Sequence, residues 1–388
     1  MFQNKKVYPD KNYYDITISN LNTSTTVPPI INFNESRTQP YLDKPEDYYL
    51  SIIRFSVDTG QILPVFIPEI QLNQSDINLT IYSVSLQKLY NGIFYTEQTF
   101  ISWYPQDRAA ALPTPPNKTT NGFQDNVSGY YYCLQIQYFL NLVNTAFRDC
   151  LAGLNSQVGN TIDPNPPVIT FDTQNQKFVL YCDQAVYSIN AGVDTVSIFM
   201  NPPLYQLFGS LPATVNSYSG RDSYGVLKGL VWKIQPDLFA GSSITPFPFV
   251  NPQYDAIQVV QERSSISMWC PVVAVVFCST TLPVATQNVS APQIFVDGIT
   301  QQQSNNSTIA PIITDIIADN AEYTPFILYN PLAEYRLVSM HGTNPLSNID
   351  IQVYWRDKFG VLNPLRLPSG ASCSLKILFT KKSTNQNK

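Results

Sequence analysis

The sequence predicts a mainly β protein, a β-sandwich interrupted by a large inserted α+β domain. Three observations predict it. Thirty prolines and 24 tyrosines, with frequent Asn, Thr, Ser, Ile and Val, describe many short strands joined by turns. One stretch in the middle has a helical period, and both flanks have strand-like runs. At 388 residues the chain exceeds one small core and suits two domains, or one domain carrying an insertion. The flanks resemble each other in composition and differ from the middle. Residues 1–88 and 255–388 are therefore read as the two parts of the sandwich, and residues 89–254 as the insertion.

In chain order, the first third offers five strands: Tyr13 to Ser19, Pro29 to Phe33, Tyr48 to Val57, Leu63 to Ile67 and Ile77 to Tyr82. Aromatic residues then cluster at Tyr90, Phe94, Tyr95, Phe100, Trp103 and Tyr104, before a Pro, Ala and Thr linker from Ala109 to Thr120. The one convincing helix starts at Ile136. Its apolar residues fall at Ile136, Phe139, Leu140, Val143, Phe147, Cys150, Leu151 and Leu154, the spacing of one buried face, and Gly153 is placed to end it. Val168 to Asp172 and Lys177 to Cys182 flank the polar Thr173-Gln-Asn-Gln176 and predict an antiparallel hairpin, a small sheet for the helix to cover. Pro202 and Pro203 can start a short helical turn that Gly209 stops. After loops at Ser217 to Gly225 and Ala240 to Pro252, strands return at Ile257–Val260, Val272–Phe277, Gln293–Val296, Pro325–Tyr329, Tyr335–Val338, Ile349–Trp355 and Ser374–Thr380.

Charged residues are only 13% of the chain, against a usual share of about 25%. Such a surface suits burial against other chains. The net charge of −5 leaves no basic face for the whole chain to clamp nucleic acid. Only the ends are basic, through Lys5, Lys6, Lys11, Lys381, Lys382 and Lys388. No apolar run is long enough to span a bilayer, and Met1 to Tyr8 lacks the core of a secretory signal, so synthesis in the cytosol is expected. The six cysteines sit in apolar runs without a C-x-x-C pair, so buried free thiols are expected rather than disulfides. The single histidine, His341, has no neighbour to complete a zinc site.

No motif completes an active site. Asp58-Thr59-Gly60 follows a hydrophobic strand as in aspartic proteases, but that chemistry needs a second carboxylate and no second Asp-Thr-Gly occurs. A polar turn at a strand end is the plainer account. His341 lies in Ser339-Met-His-Gly342 with no Gly-x-Ser-x-Gly elbow, and Gly220 to Gly225 lacks the Gly-Lys-Ser/Thr of a phosphate loop. Tyr130, Tyr131 and Tyr132 could stack on sugars or bases, though alternating aromatics more often pack in a core or subunit interface. The expectation is no catalytic residue, no cofactor and no metal.

Several segments near the C-terminal end carry a family resemblance. They are Tyr335 to Gly342, Pro345 to Gly360, and Pro364 to Gly370 followed by Ser374 to Phe379. They resemble the closing strands of penton proteins from virophages and polinton-like viruses. Phe139 to Ala146, Ile169 to Asp172 and Asn201-Pro-Pro-Leu-Tyr-Gln-Leu-Phe-Gly-Ser-Leu-Pro212 resemble the insertion of the same family, nearest to Sputnik-type virophages. The resemblance implies a single jelly roll upright at the icosahedral fivefold vertex, five copies closing a ring, and an insertion projecting outward. It implies as partners the chain itself as a homopentamer and the surrounding major capsid protein capsomers, with the host surface ligand unknown. The basic ends then have two readings, solvated tails or an electrostatic tether to packaged DNA. Two rivals remain, a receptor-binding fibre head, which would be trimeric, and the aspartic protease through Asp58.

Overall fold

The computed structural model describes residues 10–23, 28–58, 63–71, 75–106, 129–162, 165–216, 230–236, 242–247, 254–289, 293–296, 299–302, 308–317, 326–331, 336–358 and 360–382. The chain divides into two compact units, Met1–Leu63 with Pro271–Lys388, and Pro64–Cys270. The expected bounds at 88/89 and 254/255 therefore fall inside the second unit. Prolines, which constrain the backbone and remove a donor, stand at both crossings.

The first unit opens with β1 (Lys11–Ser19), β2 (Asn32–Ser36) and β3 (Tyr48–Asp58). The second unit follows with β4 (Leu79–Tyr90), β5 (Ile93–Ser102), helix α1 (Ile136–Gln157), β6 (Val168–Asp172), β7 (Lys177–Asp183) and the short α2 (Gln184–Tyr187). It closes with β8 (Val196–Met200), α3 (Pro202–Leu207), β9 (Ala213–Val215), β10 (Trp232–Ile234), β11 (Ser242–Pro246) and β12 (Asp255–Val260). The chain then returns to the first unit with β13 (Val272–Cys278), β14 (Gln287–Val289), β15 (Gln293–Val296), β16 (Ile299–Gln302), β17 (Thr308–Ala310) and β18 (Ile312–Ile317). Last come β19 (Phe326–Tyr329), β20 (Val338–Ser339), β21 (Asn348–Asp357), β22 (Leu362–Pro364) and β23 (Ser372–Lys381). The protein is mainly β, as expected.

In the first unit two antiparallel sheets carry the core. One runs β1-β23-β3-β19, with β20 also on β3; the other runs β18-β13-β21-β2, with β22 on β21. Alternation along β1 leaves every second residue exposed, the pattern of a half-covered strand. Phe55 of β3 meets Phe277 of β13 edge-on at 5.0 Å between ring centres, so the two sheets pack face to face through aromatic side chains. Phe33, Phe55, Phe277 and Phe379 are fully buried there. Each such side chain is worth roughly 1.5–3 kcal/mol on burial.

The second unit also has two antiparallel sheets, β5-β4-β8-β10-β9 and β11-β12-β7-β6. Helix α1 packs on β4 and β5 of the first and on β6 of the second. It therefore bridges two sheets, at β4 and β5 of one and at the edge strand β6 of the other, where the sequence suggests one small sheet. That explains why its buried face adds Leu142 and Ala146 to the expected stripe, while Ile136 is only half-buried. Gly153 does not end the helix. It lies within it because a Cβ there would come within 2.9 Å of the Glu97 side chain on β5. The true stop is Gly159 and Asn160, both left-handed at φ 70° and 57°.

The hairpin β6–β7 forms with Asp172 opposite Lys177, and the Asp172 carboxylate accepts from the Gln174 and Asn175 backbone N–H groups and the Asn175 amide. Asn201 caps α3 by accepting from Leu204 N–H. The left-handed residue after that helix is Ser210, not Gly209. Trp269 anchors the core: its ring stacks on Phe178 at 4.9 Å, touches Phe66, Phe139 and Phe208, and its indole N–H donates to the Leu207 carbonyl at 2.9 Å. The expected strand Leu63 to Ile67 is only an isolated bridge from Phe66 to Cys133. Pro64 and Pro68 bound it and offer no N–H for a ladder.

Candidate functional site

Asp58 is the last residue of β3. Its carboxylate accepts from the Ser372 backbone N–H at 3.3 Å, tying the end of β3 to the start of β23. Thr59 and Gly60 lie outside the described residues, as does the Gly220 to Gly225 loop. His341 is exposed, and its backbone N–H bonds the Pro283 carbonyl at 2.8 Å. Tyr130 and Tyr131 are buried, their hydroxyls donating to the Asn78 side chain at 2.8 Å and the Ile77 carbonyl at 3.0 Å. They are core, not a stacking platform.

The cysteines are free, and all but the half-buried Cys270 are buried. Burial pushes the Cys133 and Cys150 thiols up to about 12 and Cys278 up to about 11, so none of these three offers a thiolate nucleophile at neutral pH. Among the described residues no group of three or more His, Cys, Asp or Glu side chains is placed to hold a metal ion. No helix there is long and apolar enough to cross a membrane.

Surface, rather than chemistry, marks two places. The first is a groove of about 330 Å³ between β18 and β19, lined by Ile316, Ile317, Ile327, Leu328 and Tyr329. At its rim one carboxylate, Asp315, holds two guanidinium groups: Arg336 bonds it directly and Arg356 lies at 3.4 Å. Exposed pairs of this kind contribute about 0–1 kcal/mol, so they shape the rim more than they stabilise the fold. The second place, in the other unit, is the tip of the β4–β5 hairpin. Asn91 and Gly92 turn with φ 49° and 77°, as a two-residue type I′ turn requires. Pairing with β8 covers only Val84 to Lys88, so the tip extends past its neighbour and leaves Ile93 and Phe94 exposed.

The basic ends are partly described. Lys11 lies opposite Thr380 in the β1–β23 ladder, so the chain's first and last strands bring Lys11, Lys381 and Lys382 to one end of the sandwich. Lys382 is held, its ammonium donating to the Glu46 and Met340 carbonyls at 2.6 and 3.0 Å. Lys5, Lys6 and Lys388 lie outside the described residues.

Comparison with known proteins supplies the family. The family described as Sputnik minor capsid protein V18/19 matches residues 12–381. The chain belongs to that family. Within it, structural protein V19 of the Sputnik virophage is 25% identical over 221 residues, covering 56% of this chain and 94% of V19. A chain in the 3.5 Å cryo-EM structure of the Sputnik virophage superposes with a TM-score of 0.78 at 26% identity, over 98% of this chain and 100% of that one. The crystal structure of the mavirus penton protein shares the fold, with a TM-score of 0.58 at 16% identity over 96% of this chain and 99% of that one. As a member of the V18/19 family the chain is a structural capsid protein of the virion, not an enzyme. That sets aside the protease reading of Asp58 and leaves the carboxylate as a strand-end tie.

Proposed function

We propose that this capsid protein is the penton: five copies form the vertex of an icosahedral particle, each through a single jelly roll interrupted by Pro64–Cys270. The observation that carries the reading is strand order. Counted in chain order, the eight main strands of the first unit lie 1-8-3-6 in one sheet and 5-4-7-2 in the other, all antiparallel. Eight strands paired in this way across two sheets make a double Greek key. The likeness to a penton protein over nearly the whole of both chains supports the same assignment.

The partners follow from the vertex. Each subunit would meet two copies of itself through different patches, because a closed ring is head-to-tail, and its outer rim would meet the surrounding major capsid protein capsomers. Specific contacts of this kind bury about 800 Å² per partner. The basic ends would face the particle interior and its DNA, after synthesis in the host cytoplasm.

Native mass measurement of the purified chain tests this. Five copies are expected; three copies would favour a fibre head. For the ends, removing residues 1–9 and 383–388 should lower vertex occupancy in full particles more than in empty ones. Equal occupancy would make them solvated tails.

A further inference from the structure

The tip of the β4–β5 hairpin is placed for chemistry of its own. Among the described residues Asn91 is the one asparagine followed directly by glycine. The asparagine amide is a labile group, consumed when the backbone nitrogen of the next residue attacks it. A folded chain ordinarily prevents this in three ways: a bulky next side chain, hydrogen bonds on the amide, or a hydrogen bond on the attacking N–H.

At Asn91 all three protections are missing. Both turn residues are exposed, and a Cβ on Gly92 would meet nothing within 4 Å, so the peptide nitrogen is unscreened. Among the described residues neither the Asn91 amide nor the Gly92 N–H has a hydrogen-bond partner. In a two-residue turn the closing bonds belong to the flanking pair, here Tyr90 and Ile93.

Asparagines elsewhere are held or screened. The Asn155 amide donates to the Ile162 carbonyl at 3.0 Å and accepts from its N–H at 2.9 Å. Asn201 donates to the Ile81 carbonyl at 2.7 Å and accepts from the Ser83 and Leu204 N–H groups at 3.0 and 3.2 Å. Asn160, at positive φ like Asn91, is followed by the branched Thr161.

We propose that Asn91 is a site of spontaneous covalent modification, where the chain converts the residue to aspartate and isoaspartate and so remodels the apolar tip. The Gly92 nitrogen, losing its proton to solvent base, attacks Cγ of Asn91. A C–N bond forms, Nδ2 leaves as ammonia, and a succinimide ring results. Water then opens the ring. Breaking the bond between Cγ and the Gly92 nitrogen restores the normal backbone with an aspartate. Breaking the bond between the Asn91 main-chain carbonyl carbon and that nitrogen leaves Gly92 joined through Cγ, as isoaspartate. On balance one water is consumed, one ammonia is released and a carboxylate replaces the amide, with no change of oxidation state.

The two products act differently on the hairpin. Aspartate before glycine suits a type I′ turn as asparagine does. Isoaspartate adds a main-chain carbon between positions 91 and 92, and a two-residue turn cannot hold it while Tyr90 stays opposite Ile93 and Leu89 opposite Phe94. Pairing with β8 ends at Lys88, short of the tip. The presentation of Ile93 (58% exposed) and Phe94 (66%) therefore changes with the backbone.

Peptide mapping by mass spectrometry tests this on the full chain stored in warm, mildly alkaline buffer. The tryptic fragment Leu89–Arg108 holds no other asparagine. It should gain the mass of an amide-to-acid exchange and split into two chromatographic forms, while the fragments holding Asn155 and Asn201 stay unchanged over the same time. Asn121-Gly122, outside the described residues, falls in a different fragment. Asn91→Gln, whose longer amide does not close the five-membered ring, should lose the product. In hydrogen exchange, protection at Tyr90 and Ile93 should fall in the stored chain by the share of isoaspartate and persist in freshly made Asn91→Asp. No mass gain in Leu89–Arg108, or a gain no faster than in the other two fragments, would overturn the site. Full tip protection in the isoaspartate form would overturn the remodelling. Neither readout depends on whether the chain forms a ring, so failure here and failure of the penton reading are told apart.

Discussion

The two units solve the same problem, covering sheet faces, in different ways. The first unit is sheet on sheet and is assembled from both ends of the chain: β23 lies between β1 and β3, so the last strand is central to its sheet. Asn12 pairs with Phe379 across nearly the whole sequence. The second unit is one continuous segment, and a helix with an aromatic cluster around Trp269 fills its core. The difference teaches where cooperativity lies. Long-range pairing makes the first unit dependent on a complete chain, whereas the second contains all its own partners and can fold while the first is still unfinished.

The strongest way to break that comparison is to remove one strand. Ending the chain after Gly370 deletes β23, and the expected result is loss of the first unit with hydrogen-exchange protection kept in Pro64–Cys270. Protection lost throughout would show one cooperative body. Next in size are core truncations. Trp269→Ala in the second unit and Phe55→Ala in the first, both fully buried, should each cost about 3–5 kcal/mol. Denaturant unfolding should show each variant shifting the transition of its own unit and sparing the other. A single shared transition, moved equally by both, contradicts the division.

Smaller effects sharpen the picture of the second unit. Gly153→Ala gains about 0.5–1 kcal/mol of helix propensity but displaces Glu97, whose carboxylate takes a 2.6 Å bond from the Gln157 amide. The single variant should be near neutral in thermal unfolding, and the gain should emerge only with Glu97→Ala. The smallest effect is at Asp172. The Asn175 side chain, helped by the backbone N–H groups of Asn175 and Gln174, holds its carboxyl below the usual carboxylate range. A lowered folded value stabilises above the unfolded value and is lost as pH falls through the folded one. Wild type should therefore exceed Asp172→Asn in stability near neutral pH and converge with it in acid, as pH-dependent unfolding would show.

Much of this architecture is legible in the residues, and the exceptions have physical reasons. Helix α1, the β6–β7 hairpin and strands β1, β3, β21 and β23 follow from period and turn composition. The end of α1 does not, because glycine at a helix end and glycine at a close approach look alike without the neighbouring Glu97. Strand β5 is missing from the sequence reading although Asn91-Gly92 between Tyr90 and Ile93 signals a type I′ hairpin; the aromatic density there reads as a cluster instead. Strand β18 is missing too. Ile312, Ile313 and Ile316 are buried without alternation and Ile317 is exposed, so no single face shows in the sequence. The groove is less legible still, since Asp315, Arg336 and Arg356 meet only through sheet register. With no motif in the sequence that completes a catalytic site, the family resemblance, not a site, points to function.

The central claim is that the sandwich alone assembles and the continuous segment is inserted into it. Native mass of a chain in which residues 64–270 are replaced by a short Gly/Ser linker tests this most directly. The account predicts five-copy rings, as for the full chain. A folded full-length ring beside a shortened chain that is unfolded or stays monomeric would contradict it.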